Sequence, residues 1–383
     1  MKPASTIKTP RVIGAALTAA AMFLPSVHPV FADAAPERGI VAFKYLNYGD
    51  SQPGVDRIDV NAYSVRAMAP IAGKWAIDVT GVHDSVTGAS PHYHTHFDTA
   101  SGASKLNGDT RKAVDLNVTR YFPTGSLTAG TSYSEESDYI SRSFSLQGAL
   151  STPSKNTTVT LGGSVTTDTI TPNNFPLTDH KKIYSCLVGL TQVMSKNDIV
   201  QLNLGRSIGT GYYSDPYKTL DERPRHRNST TFMTRWNHYF ESTEGAGRFA
   251  YRYYTDTFGV NAHSLSAEYV QPLSNGFTVT PSVRYYTQTA ADFYVPVGPD
   301  EKLTGDATDP GFAVFYSEDQ RLSAFGAVTL GIKVSKRFAQ EWLVDVRYDH
   351  YMQRDNWALS GKGDSGLAAF NANFIQVGLS KEF

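Results

Sequence analysis

The densest group of metal-ligating side chains is PHYHTHFD, where His92, His94, His96 and Asp98 occupy every second position. In an extended segment all four share one face, and neutral imidazoles with a carboxylate suit zinc, copper, nickel or iron. Same-face neighbours on an ideal strand stand about 6.6 Å apart, so one ion reaches several of them only if the segment curls. The other reading is a solvated histidine-rich loop without metal. No further cofactor is expected. Phosphate-loop, dinucleotide and EF-hand patterns are missing, and Cys186, the single cysteine, excludes a CxxCH haem site, a CxxC redox pair and an intramolecular disulfide. No GxSxG elbow occurs, so catalytic residues are assigned to none. An outer-membrane hydrolase stays open only because triads are recognised by geometry, not by position in the chain.

A second set of residues could act on solutes through charge. Acidic Asp78, Asp115, Asp256, Glu268, Asp345 and Asp349 and basic Arg235, Arg248, Arg252, Arg284, Lys333 and Arg347 fall on the polar phase of alternating segments. Charged rings set ion preference in a pore, and signs this nearly balanced select neither anions nor cations. Two readings follow: a field across a lumen that orients polar solutes, or cross-strand ion pairs that hold register and fill the interior.

These residues need strands to position them, and strands are what the chain encodes. In FTVTPSVRYYTQ one face reads Phe277, Val279, Pro281, Val283, Tyr285 and the other Thr278, Thr280, Ser282, Arg284, Tyr286. WLVDVRYDHY sets Trp342, Val344, Val346 and Tyr348 against Asp345, Arg347 and Asp349; LSAFGAVTLGIKVS sets Leu322, Ala324, Val328, Leu330, Ile332 and Val334 against Ser323, Thr329, Lys333 and Ser335. Period two dominates and no long helical period competes. About sixteen strands are expected, near 40–48, 56–67, 74–83, 110–121, 125–137, 139–150, 156–167, 181–194, 198–208, 229–240, 246–257, 260–271, 275–288, 321–337, 340–353 and 369–383.

Alternation alone suits a soluble sandwich as well as a membrane barrel, and the loops separate them. Every second connection is short (APIAG, FPTG, STPSK, SKN, ESTEG, PLSN, RFAQ), whereas others are long, as at 84–109, 209–228 and 289–320. A Greek-key sandwich has no reason to sort loops this way. A transmembrane antiparallel up-and-down β-barrel does, with short periplasmic turns and long outer loops. The aromatic runs YRYY (251–254), VRYY (283–286) and WNHYF (236–240) read as girdles at its two interfaces, or as sugar-stacking platforms.

Residues 1–32 read as a secretory signal peptide: Lys2, Lys8 and Arg11, then the apolar run from Val12 to Leu24, then a small-residue cut after Ala32. Its removal takes away three basic residues and no acid, so the formal charge falls from -1 to -4. That argues against nucleic acid as a partner. Residues 33–39 read as a short periplasmic segment and 40–383 as the barrel, exported through the Sec pathway to the outer membrane.

In FIQVGLSKEF, Ile375, Val377, Leu379 and Phe383 share one face. This ending resembles the C-terminal signal read by the outer-membrane barrel-insertion machinery, with Phe383 as its aromatic. Lys381 departs from the pattern, although a lysine at the interface can snorkel to head groups.

The segments DSVTGASP (84–91), YSEESDYISRSFSL (133–146), DERPRHR (221–227), YRYYTDTFGVNAHSLSAEY (251–269), VRYYTQTAADFY (283–294) and RLSAFGAVTLGIKVSKRF (321–338) together resemble a Gram-negative family catalogued as domain of unknown function 3570. The resemblance implies an exported outer-membrane barrel and, from genome context, periplasmic thiol and flavin-transfer neighbours. The expected function is a weakly selective pore for small polar solutes, narrowed by the loops at 84–109 and 289–320. The alternative is a non-conducting barrel that docks a periplasmic redox or assembly partner. Outer-membrane lipid and the insertion machinery are the other partners expected.

Overall fold

A computed structural model describes residues 34–88, 109–173, 176–218, 221–296, 314–339 and 341–383. The strands in chain order are β1 (Ile40–Gln52), β2 (Val55–Ile71), β3 (Trp75–Gly88), β4 (Asp109–Phe122), β5 (Gly125–Glu135), β6 (Tyr139–Ser151), β7 (Thr157–Ile170), β8 (Asp179–Val193), β9 (Asp198–Gly211), β10 (Asp221–Glu222), β11 (His226–Phe240), β12 (Gly245–Asp256), β13 (Asn261–Pro272), β14 (Phe277–Gln288), β15 (Tyr316–Ser317), β16 (Phe325–Phe338), β17 (Trp342–Arg354) and β18 (Phe370–Glu382). All but β10 and β15 form one antiparallel sheet of sixteen strands, each bonded to its neighbours in sequence, and β1 closes the ring on β18. β10 and β15 pair with each other in a separate two-stranded sheet. The sixteen-strand, up-and-down expectation is met.

The register fixes the barrel's dimensions. Following hydrogen-bonded partners once around the sheet returns to β1 displaced by about 16 residues, close to the strand number. With strands about 4.8 Å apart and a rise of about 3.3 Å, that shear implies a tilt of roughly 35° and a backbone radius of roughly 15 Å. Each residue step, or each strand step along a row of partners, then changes height by roughly 2.7 Å.

Every connection on one rim, the rim that also holds both ends of the sheet, is a tight turn, whereas the other rim mixes tight turns such as 53–54 with long loops. Several contain residues in the left-handed region, including Ala72 (φ 51) and Gly73 (φ 64) after β2, Lys155 (φ 58) after β6, and Asn275 (φ 59) and Gly276 (φ 75) after β13. A positive φ lets a hairpin reverse within a few residues without splaying its strands.

Outside, the apolar phase is bare: Phe144 is 54 % exposed, Leu161 58 % and Leu265 53 %. A soluble protein would bury such side chains. Trp75, Phe122, Phe338 and Trp342 ring the tight-turn end, with Phe338 and Trp342 stacked at 6.3 Å. Tyr133, Tyr184, Tyr253 and Tyr285 point outward toward the other end. By register and tilt the two aromatic levels lie roughly 25 Å apart along the axis, matching the apolar band of an outer-membrane barrel. Lys381 lies on this outer surface with its ammonium 5.2 Å from the Trp342 ring centre, at interface height.

Cys186 also points outward, between Tyr184 and Val188. In lipid vesicles it is expected to resist a charged maleimide and to react fully once the protein is unfolded. Rapid modification of the folded, vesicle-bound protein would put β8 in the wrong phase.

Two differences from the sequence reading have physical causes. The strand expected from 321 starts at Phe325, because residues 320–322 form a short 3-10 turn capped by the Asp319 side chain, which accepts from the Arg321 N–H. Leu322 and Ala324, expected on the lipid phase, are therefore buried under the outer loops. The inward phase is also not uniformly polar. Leu46, Tyr48, Val60, Phe370 and Phe374 pack together inside the outer half of the barrel at β18, β1 and β2.

Candidate functional site: the lumen and its outer cap

The register places all twelve charged candidates on the phase opposite the exposed apolar residues. Eleven of them lie within roughly 6 Å of one height, near the middle of the apolar band; Asp256 sits higher, at the outer rim. The belt is lopsided. Arg235, Arg248, Arg252, Glu268, Arg284, Lys333, Asp345, Arg347 and Asp349 come from β11 through β17, and Asp78 and Asp115 from β3 and β4. At the same height the wall from β5 to β9 carries no charge, only groups such as Ser132, Ser145, Gly162, Gly189 and Asn203.

Many of the acids are held by neighbouring bases. Arg66, which the sequence reading passed over, reaches Asp78 at 2.5 Å across β2 and β3. Arg347 holds Asp349, two residues along its own strand, at 2.6 Å. Glu268 lies 3.9 Å from Arg248 and 4.0 Å from Arg347. At the outer rim Arg227 reaches Asp256 at 2.6 Å, Arg111 reaches Asp84 at 2.8 Å and Lys181 reaches Asp168 at 3.1 Å. Inward glycines make room for some acids to lie flat on the wall. A Cβ at Gly331 would collide with the Asp349 carboxylate, and one at Gly378 would stand 2.5 Å from that of Asp345. Lys44, also unremarked in the sequence, points inward opposite Gly378, beside Asp345.

The aromatic runs divide between the two faces. Tyr251, Tyr253, Tyr285, Trp236 and Phe240 face outward, while Tyr254 and Tyr286 face the lumen. Tyr254 donates to Asp256 at 2.7 Å, and the Arg284 guanidinium lies 5.8 Å from the Tyr286 ring centre.

Above this belt the outer loops are bolted together. The β9–β11 and β14–β16 loops meet through β10 and β15 and through buried ion pairs. Arg223 donates to Asp221 at 2.6 Å and to Asp319 at 2.7 Å; Arg321 donates to Asp319 and, at 2.7 Å, to Asp215. The Ser317 hydroxyl donates to Asp221 at 3.0 Å. Burial favours a neutral Asp319, but Arg321, Lys218 and Arg223 outweigh it and hold the carboxyl well below its usual range. Burial dominates at Asp221 and pushes it up despite Arg223.

Under these pairs Phe258, Val260, Ala291 and Leu322 form an apolar cluster with Tyr213 and Phe293. Tyr217 donates to Asp138 after β5, and Tyr294 donates to Asp364 before β18 at 2.6 Å. Inward-facing Gln288 donates to the carbonyls of Arg321 (2.9 Å) and Ser323 (2.7 Å), anchoring the assembly to the lumen side of the wall. The sequence reading assigned narrowing to 84–109 and 289–320. Residues 89–108 and 297–313 lie outside the described residues, as do His92, His94, His96, Asp98 and the proposed signal peptide. Asp215, Asp221 and Arg223 after β9 emerge as the partners of Ser317, Asp319 and Arg321 before β16.

A closed antiparallel sheet with an apolar band outside, aromatic levels at both ends and a polar interior defines an outer-membrane β-barrel. The chain belongs to the family described as Protein of unknown function (DUF3570), whose profile matches residues 14–178 and 173–374. No curated protein matches it in sequence. Among solved structures it is similar to the siderophore receptor PirA from Pseudomonas aeruginosa (9% identity, TM-score 0.47), covering 89% of this chain and 62% of that one, so it spans about three fifths of that receptor's length. It is also similar to OccK1 (OpdK) from Pseudomonas aeruginosa (9% identity, TM-score 0.44, 92% and 99% covered). A third is a bacterial polysaccharide outer membrane secretin (7% identity, TM-score 0.49, 90% and 98% covered).

Proposed function

We propose that the barrel is an outer-membrane channel for small polar solutes, reached by Sec export and placed in the membrane by the barrel-insertion machinery. The mid-height belt of inward charge carries this reading. Ion pairs alone can fill an interior, but Arg235, Arg252 and Arg284 have no carboxylate within ion-pair distance among the described residues, and sixteen strands leave room for water between the walls. In planar bilayers the purified, folded protein is expected to give stepwise currents; their absence at high protein and salt sinks the channel.

The cross-bonded cap favours a second reading, a barrel whose outer mouth stays shut and whose role is structural or docking. In that case the wild type passes no current, and neither does a variant with its cap released.

A further inference from the structure

We propose that the lumen wall built by β11 to β14 is a binding surface for small organic anions, carboxylates in particular. This deepens the channel reading and rests on the same lumen. In the sequence the signs nearly balance, but position breaks the balance. Asp78 and Asp349 are occupied by Arg66 and Arg347 at 2.5 and 2.6 Å. Arg235 and Arg252 have no carboxylate within ion-pair distance among the described residues. Arg284 has none either: its Nε donates to the Ser264 hydroxyl at 2.9 Å, which fixes the guanidinium while leaving its other N–H groups undirected.

These three arginines form one patch. Arg252 opposes Ser264 and Arg284 opposes Ser266 across β13, so the two guanidinium-bearing positions share a height, with Cα atoms roughly 12 Å apart. Arg235 lies diagonal to Arg252, opposite Ala250, roughly 8 Å lower. A guanidinium pairs two N–H groups with a carboxylate in a planar fork, and two such groups at this spacing suit a solute with two acid groups. The neighbouring wall from β5 to β9 adds hydroxyls and amides but no competing carboxylate. Asp115, on β4 across the lumen, repels anions toward the arginines.

The test is equilibrium binding of succinate, its neutral diamide succinamide and the cation putrescine to the full barrel folded in detergent. Succinate is expected to bind at least tenfold tighter than succinamide, with putrescine weakest. Arg252→Gln with Arg284→Gln is expected to erase that preference while the barrel keeps its heat-modifiable mobility on gels. Equal binding of succinate and succinamide overturns the proposal, and so does an unchanged preference in the double variant. Folding failure of that variant is met by Arg235→Gln alone, expected to weaken succinate severalfold; no change there overturns the proposal equally. Selective succinate binding without bilayer current sustains the anion surface and sinks the channel. Current without selective binding does the reverse.

Discussion

Asp319→Ala frees the outer loops of this barrel while leaving the sixteen-strand sheet closed. The Asp319 side chain is wholly buried and accepts from Arg223 and Arg321, and Arg223 is itself almost fully buried. Removing one partner of a buried ion pair costs about 3–5 kcal/mol, because the remaining charge stays desolvated without its counterion. Asp221 still faces Arg223 at 2.6 Å, so the lower end of that range applies. A loss of about 3 kcal/mol raises the population of the opened cap roughly a hundredfold, and proteolysis of a fast local opening tracks that population. Trypsin is therefore expected to cut after Lys218 and Arg225 about two orders of magnitude faster in the variant, with strand content and gel mobility unchanged. Cleavage within twofold of wild type would mean that the ion cluster does not hold the loops. If the lumen conducts, the same variant gives larger or longer-lived openings.

Mild acid is not expected to imitate the mutation. Asp319 titrates well below its unfolded value, so its contribution is fully present above about pH 4 and is lost only as pH falls through that depressed folded value. Asp221 is shifted the other way: its burial disfavours the charged form, and proton uptake as pH falls through its raised value relieves a cost. Trypsin-resistant loops at pH 5.5 are the expected result, and loosening there would contradict the sign of both shifts.

The strands were legible because a barrel wall has two solvents. Lipid selects one phase of each strand and water the other, so Val344, Val346 and Tyr348 announce their face as plainly as Asp345, Arg347 and Asp349 announce theirs. Loop sorting was legible for a similar reason, since only one rim must be kept tight. Pairing was not. Arg66 meets Asp78 because β2 and β3 run in a register in which Arg66 opposes Thr80, a relation set by one turn and invisible in a list of charges. Arg223 and Asp319 lie 96 residues apart in the chain and meet only because their loops rise from nearby strands. Leu46, Tyr48 and Phe374 went unnoticed as lumen residues because an apolar side chain on the inward phase looks, locally, like one that belongs outside. Charge balance is silent on pairing for the same reason: it counts residues and does not say which of them meet across the wall.

Whether one wall faces hydrocarbon can be tested at two consecutive residues. On β6, Leu146 points outward with 47 % exposure near the middle of the apolar band, and Ser145 points into the lumen on its uncharged side. Arginine on the lipid face near the midplane of an outer-membrane barrel costs about 2–4 kcal/mol, while the lumen hydrates it. Leu146→Arg is therefore expected to lower the stability of the vesicle-folded protein by that amount in urea titrations, and Ser145→Arg to change it by less than about 1 kcal/mol. A soluble sandwich demands the opposite order, because there an exposed leucine meets water and accepts arginine freely, whereas an inward serine has no room for it. The two outcomes differ in sign as well as in size, so a single pair of titrations distinguishes a sheet closed around water inside a bilayer from one folded around a dry core.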